Sequence, residues 1–168
     1  MIIIDSQIWI YFIDPNALEN RNVASYLKGT NNDGVLFKEK IVVNPIIPIE
    51  VAYSIFGNHE INLASSYSLI TSLFHFENIK ISELSIQNYQ DALNILANYR
   101  REGIGGRDAL ILATMKKENI STIKTHDKNI LRMKDIIRID PVFDSPMVLE
   151  IGKEFNSEEF QEKIRELN

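Results

Sequence analysis

The sequence predicts an α/β protein with a mostly parallel central sheet covered by helices on both faces. Short runs that are apolar throughout, such as Ile2 to Ile4, alternate along the chain with stretches of helical period. Acidic residues stand directly after these strands or in the first turns of the helices, where α/β sheets place their ligands. At 168 residues and 45% hydrophobic content, the chain is long enough for one domain with a real core.

The elements follow in order. Ile2 to Ile4 predicts a first strand ending at Asp5. Ser6 then opens a helix to about Ile13, with Ile8, Trp9 and Phe12 on one face and Asp14-Pro15 closing it. A second helix is expected from Asn16 to Lys28, stopped by Gly29, before the turn-rich Thr30 to Gly34. Ile41 to Asn44 predicts a second strand, and Pro45 and Pro48 admit a helix start. Residues 49 to 73 read as helical with a break at Gly57-Asn58, and 76 to 81 as a strand. A long amphipathic helix is expected from Ser85 to Glu102, then a nearly all-apolar helix carrying Asp108. Strand 121 to 124, a short helix at 128 to 133 and a last strand from Ile136 to Ile139, set at a sheet edge, complete residues 1–140. Residues 141–168 read as a C-terminal extension packed on the same domain, with a charged helix from Ser157 to Leu167.

The chain has no cysteine, which excludes disulfides, thiolate metal sites and cysteine nucleophiles. No apolar run approaches the ~20 residues of a membrane helix, and MIIID lacks the features of a signal peptide, so a cytoplasmic protein without a membrane partner is expected. The net charge of −5 argues against nonspecific nucleic-acid binding through a basic surface. Removing four acids that form one site from the 23 acidic residues leaves 19 against 18 basic ones, so charge does not decide the substrate. Arg100, Arg101, Lys124, Lys128, Arg132, Lys134 and Arg138 read as solvated helix faces. Arg107 reads as a surface residue, with a phosphate contact as the alternative.

Those four acids are Asp5, Glu50, Asp108 and Asp127. Taken alone, Asp5 reads better as a helix N-cap or Asx turn. Glu50 shares a helix face with Ile46, Ile47, Tyr53 and Ser54; a helix-dipole contact and a site role stand side by side for it. Asp108 opens a helix that is apolar on most sides, so it points into the interior or a cleft, and Gly103, Gly105 and Gly106 allow close backbone approach there. Asp127 follows a strand and caps a helix or joins the site, while Thr125 is placed to orient a water or accept a hydrogen bond.

A cluster of carboxylates suits metal-assisted phosphodiester hydrolysis. Mg²⁺ and Mn²⁺ prefer hard oxygen ligands, and clustered carboxylates without metal raise one another's pKa values. Activity is expected to need divalent cations and to fall at acid pH. His59, His75 and His126 lack zinc spacing, GIGGRD is no phosphate loop, and no GxSxG elbow is present. A phosphatase-like aspartate nucleophile wants a second acid at Gln7. A receiver domain wants its acids after strands rather than inside helices, as Glu50 and Asp108 are.

The opening IIIDSQIWIYF resembles the first strand, catalytic aspartate and following serine of the PIN-domain ribonucleases, and among them the VapC-type toxins of prokaryotes. PIIPIEVAYSI is similar to that family's helix with an internal glutamate. GIGGRDALILATMKKENISTIKTHDKNI is similar to its third acid on an apolar helix followed by a strand ending in Thr-x-Asp. The resemblance spans positions 2 to 139 and implies catalytic, metal-ligating roles for Asp5, Glu50, Asp108 and Asp127, supported by Ser6, Thr125 and Asn129. Asn129 falls where many relatives carry another acid, and Ile130 where they often carry phenylalanine. The resemblance further implies a three-layer α/β/α sandwich over 1–140, Mg²⁺ or Mn²⁺ as cofactor, RNA as substrate, a homodimer and a small antitoxin partner. The alternative is a PIN-fold RNA-processing or RNA-binding protein without a toxin role.

Overall fold

The computed structural model describes residues 1–57, 63–73 and 75–167. Its strands are β1 (Ile2–Ile4), β2 (Ile41–Val43), β3 (Ile79–Ile81), β4 (Thr122–Lys124), β5 (Ile137–Asp140) and β6 (Met147–Leu149). The α-helices between and after them are α1 (Ser6–Ile13), α2 (Asn20–Lys28), α3 (Val35–Lys38), α4 (Ile46–Phe56), α5 (Leu63–Leu73), α6 (Ile86–Tyr99), α7 (Gly106–Lys117), α8 (Lys128–Leu131) and α9 (Ser157–Leu167).

The six strands form one sheet in the order β3-β2-β1-β4-β5-β6. The first five are parallel, and β6 runs antiparallel to β5. Every residue of β1 and β2 is buried, as expected of strands with a helical layer on each face. The fold is therefore the expected three-layer α/β/α sandwich with a mostly parallel sheet. Trp9, wholly buried on α1, packs in the core with Ile4, Val23, Ile47 and Ile111 and donates its indole N–H to the Ile4 carbonyl at 3.2 Å. Burying a large apolar side chain of this kind stabilises by about 1.5–3 kcal/mol.

The chain builds β2 and β3 on one side of β1, then crosses to build β4 and β5 on the other. The ends of β1 and β4 are thus a point where strand order reverses, and a crevice opens there. Asp5 follows β1 at this point, its N–H donating to the Lys124 carbonyl at 2.9 Å.

Several elements differ from expectation for local reasons. The second helix starts at Asn20 rather than Asn16, because Asp14 accepts the Asn16 N–H and Asn20 Nδ2 donates to the carbonyls of Tyr11 and Phe12. The one-turn α3 has no counterpart in the sequence reading. The helix of Glu50 begins three residues early, at Ile46, because Asn44 Oδ1 accepts the Ile46 N–H at 2.8 Å. It ends at Phe56, with Gly57 as C-cap; Asn58 and His59 lie outside the described residues. The strand expected over 76–81 shortens to β3, since the Ile79 N–H closes a turn onto the Phe76 carbonyl. The α-helix expected to reach Glu102 gives way at Arg100 to a 3-10 turn, which Gly103 ends at φ 87°.

The last parallel strand is not the sheet edge: β6, read as part of an irregular tail, covers it. Lys124 and Arg138 are also not solvated. Both lie in inner strands and are buried, because the sheet continues past each of them. Arg138 donates to the carbonyls of Leu131, Ile136, Glu150 and Lys153, tying the tail to the sheet. Phe160 of α9 is fully buried beside Leu131, Phe143 and Leu149. Among the described residues, no helix is long and apolar enough to cross a membrane.

Candidate active site

Asp5 is the N-cap of α1 and is only 5% exposed. Its Oδ1 accepts the Ser6 N–H at 2.7 Å and its Oδ2 accepts the Thr125 hydroxyl at 2.7 Å. Capping and a site position are thus combined in one side chain. Burial pushes the Asp5 carboxyl up to about 6; the Thr125 and Ser6 hydrogen bonds oppose the rise, and the charges of Asp108 and Asp127 add to it.

Glu50 lies on the flank of α4. The core side of that helix is Ile47, Val51 and Ile55, so Glu50 is turned from the core toward a cavity it shares with Ile46, Tyr53 and Ser54. Asp108 occupies the third position of α7, where its Oδ2 accepts the Gly105 N–H at 2.9 Å. Its carboxyl is raised chiefly by burial; the Gly105 bond lowers it, Asp127 and Glu50 raise it, and Arg107 lowers it. The glycine at 105 matters at this contact, because a Cβ there would lie 3.3 Å from Asp108 Oδ2.

Asp127 is the N-cap of α8 and accepts the Asn129 and Ile130 N–H groups. Its own N–H donates to the Thr125 hydroxyl oxygen at 3.0 Å. That hydroxyl therefore ties the Asp127 turn to Asp5 from beneath.

One cavity of about 470 Å³ has Asp5, Ser6, Glu50, Asp108 and Asp127 in its wall, with Arg107 beside them. Four separate elements deliver the acids. Thr125 is fully buried behind Asp5. Asn129 does not line the cavity: its Nδ2 donates to the Gly103 carbonyl and its Oδ1 accepts from Arg132. As placed, each carboxylate is held by protein donors, and among the described residues no three acids or histidines converge as a ready ligand set. The donor chemistry fits a hard divalent cation: among the described residues the titratable groups of the wall are four carboxylates, the Tyr53 phenol and one arginine, with no imidazole or thiolate. Burial, with a smaller push from the neighbouring acids, raises the Asp5 and Asp108 carboxyls, so a bound cation would favour their ionised forms.

Sequence reasoning missed the contacts that three residues make at or behind this site. Asn44 is fully buried, and its Nδ2 donates to Thr114 Oγ1 at 2.7 Å and to the Leu110 carbonyl, so it fixes α4, which carries Glu50, against α7, which carries Asp108. The Asn-Pro pair that signals a turn start was its trace in the sequence. Arg107 is exposed, as read, yet its guanidinium pairs with Glu50 Oε1 at 2.6 Å. His126 points away from the cavity, its Nδ1 2.7 Å from the fully buried Asp140 and its ring against Tyr11, Phe143 and Phe160. Neither of the last two contacts has a local signal, since the partners are far apart in the chain.

A family model of the PIN domain matches residues 2–136. Comparison with curated proteins finds no match. Similar solved structures include VapC20 of Mycobacterium tuberculosis, a sarcin–ricin loop cleaving toxin, at 9% identity and TM-score 0.60, covering 73% of this chain and 87% of that one. VapBC2 from Rickettsia felis, bound to a DNA fragment from its promoter, is similar at 18% identity and TM-score 0.61, over 82% and 97% of the two chains. VapBC-1 from nontypeable Haemophilus influenzae is similar at 21% identity and TM-score 0.56, over 83% and 98%. At these identities the likeness is one of fold. The family match itself covers most of the sequence, and the chain belongs to the PIN-domain family.

Proposed function

We propose that the chain is a divalent-metal-dependent endoribonuclease that hydrolyses RNA phosphodiester bonds and serves as the toxin of a toxin–antitoxin pair. The observation that carries this reading is the lining of one cavity by Asp5, Glu50, Asp108 and Asp127, at the reversal of strand order. Similarity in fold to a sarcin–ricin loop cleaving toxin and to VapBC proteins supports RNA as substrate and a small antitoxin as partner.

Asp5, Glu50, Asp108 and Asp127 are the residues that would hold Mg²⁺ or Mn²⁺. When bound, the ion supplies a more acidic attacking water and neutralises charge on the phosphate. Asp5 is held in place by Ser6 and Thr125, and Thr125 also fixes the turn of Asp127. The buried apolar wall behind Asp5, formed by β1 and α1, keeps bulk water from the rear of the carboxylates. A homodimer in the cytoplasm completes the reading.

The test is cleavage of a structured RNA in Mg²⁺, Mn²⁺ or EDTA by the wild type and by Asp5→Asn and Asp108→Asn. Cleavage is expected with either ion, absent in EDTA and reduced by orders of magnitude in both variants. Equal cleavage by all three proteins overturns the assignment. Expression should arrest growth, with relief by a short neighbouring reading frame; cleavage without arrest removes the toxin role and leaves an RNA-processing enzyme.

A further inference from the structure

Among the described residues, Arg107 supplies the one cation in the wall of a cavity that carries four acids. Its Nη1 lies 2.6 Å from Glu50 Oε1, and among the ion pairs of the described residues this one alone engages an acid of the cavity. The two partners are unequal. The Glu50 side chain is 13% exposed on α4, whereas that of Arg107 is 72% exposed and extends from the second position of α7, next to Asp108. An ion pair with one solvated member is weak and readily exchanged. A guanidinium released from a carboxylate is suited to a phosphate, which it binds by the same paired N–H groups.

We propose that Arg107 is the resident counter-cation of this site: it holds Glu50 while the acids carry no metal, and passes to a phosphate oxygen of the RNA when a metal takes Glu50. The inference rests on the reading of the cavity as a metal-dependent ribonuclease site. On this view Arg107 lowers metal affinity in the absence of RNA and raises RNA affinity once metal is present. A residue with only a surface role does neither.

The experiment has two readouts besides activity. Mn²⁺ binding to the RNA-free protein is measured by titration calorimetry for wild type, Arg107→Met and Arg107→Lys. Loss of a competing charge within a few ångströms should tighten Mn²⁺ binding roughly three- to tenfold in Arg107→Met, with Arg107→Lys close to wild type. Binding of a 2′-methoxy RNA oligonucleotide, which cannot be cleaved by attack of its own 2′ oxygen, is then measured in saturating Mn²⁺ against salt with each protein by rapid mixing, before hydrolysis proceeds. Arg107→Met should bind it roughly tenfold more weakly and with a salt dependence smaller by about one contact. Unchanged or weaker Mn²⁺ binding by Arg107→Met overturns the counter-cation role, and unchanged RNA affinity overturns the transfer to phosphate. Failure of the wild type to bind Mn²⁺ overturns the metal-dependent reading together with this inference, whereas equal binding by wild type and Arg107→Met overturns the inference alone.

Discussion

The Thr125 hydroxyl donates to Asp5 Oδ2 at 2.7 Å, and its oxygen accepts the Asp127 N–H at 3.0 Å. One side chain thus links the strand-end acid of β1 to the turn that carries the last acid. Thr125→Val preserves shape and removes both bonds, leaving a buried carboxylate and an N–H short of partners. The expected loss is about 1–3 kcal/mol of stability, read by urea unfolding, with a further rise in the Asp5 pKa read by carboxyl NMR. Thr125→Ser keeps the hydroxyl and should lose much less; equal losses would refute the linkage.

Burial raises the Asp5 carboxyl from 3.8 to about 6 in the folded protein. Below pH 3.8 both folded and unfolded chains hold the proton. As pH rises, the unfolded chain releases it first, so stability falls through about pH 6, by about 3 kcal/mol in total for this one group. Asp108, raised in the same direction, steepens the fall. In EDTA, Asp5→Asn should remove most of this dependence and exceed the wild type in stability at pH 7.5. Unfolding curves at pH 4, 5, 6 and 7.5 check it, and a wild type that gains stability over this range would contradict it.

Divalent cations should offset that cost. At a metal concentration 100 times Kd, ligand linkage stabilises the fold by about 2.7 kcal/mol. Melting with and without Mn²⁺ should show a shift for the wild type, reversed by EDTA, and little or none for Asp5→Asn or Asp108→Asn. An equal shift in all three would place the ion elsewhere.

Asn44 reaches from the end of β2 to Leu110 and Thr114 on α7 and to the first turn of α4. Asn44→Ala should cost about 2–4 kcal/mol, since several buried polar groups lose their partner. It should also lower Mn²⁺ affinity, because it loosens α4 against α7. Thr114→Val, which removes one of these contacts, should be milder on both measures.

What the sequence made legible were the features carried by neighbouring residues. The apolar triplets of β1 and β2, the start of α6 near Ser85 and the apolar character of α7 were readable because strand and helix periods are local. The four acids were readable because each breaks such a pattern. Burial of Lys124 and Arg138 was not, because it depends on strands pairing beyond them, and long basic side chains look solvated until the flanking elements are known. The three-residue β6 is too short to show a period. The pairing of Arg107 with Glu50 depends on how α7 packs against α4, which spacing along the chain does not encode.

The clasp between His126 and the tail has a consequence for where this chain can be cut. The family match stops at residue 136, but Asp127 sits beside a ring held by Asp140, Phe143 and Phe160. A protein trimmed to the matched span would lose that splint together with β5 and its Arg138, and would bare the edge of β4. Phe160→Ala, the gentlest version of the same injury, should cost about 3–5 kcal/mol in an unfolding titration. The smallest portable form of the fold is therefore set by an aromatic ring some thirty residues downstream of the last acid of the cavity.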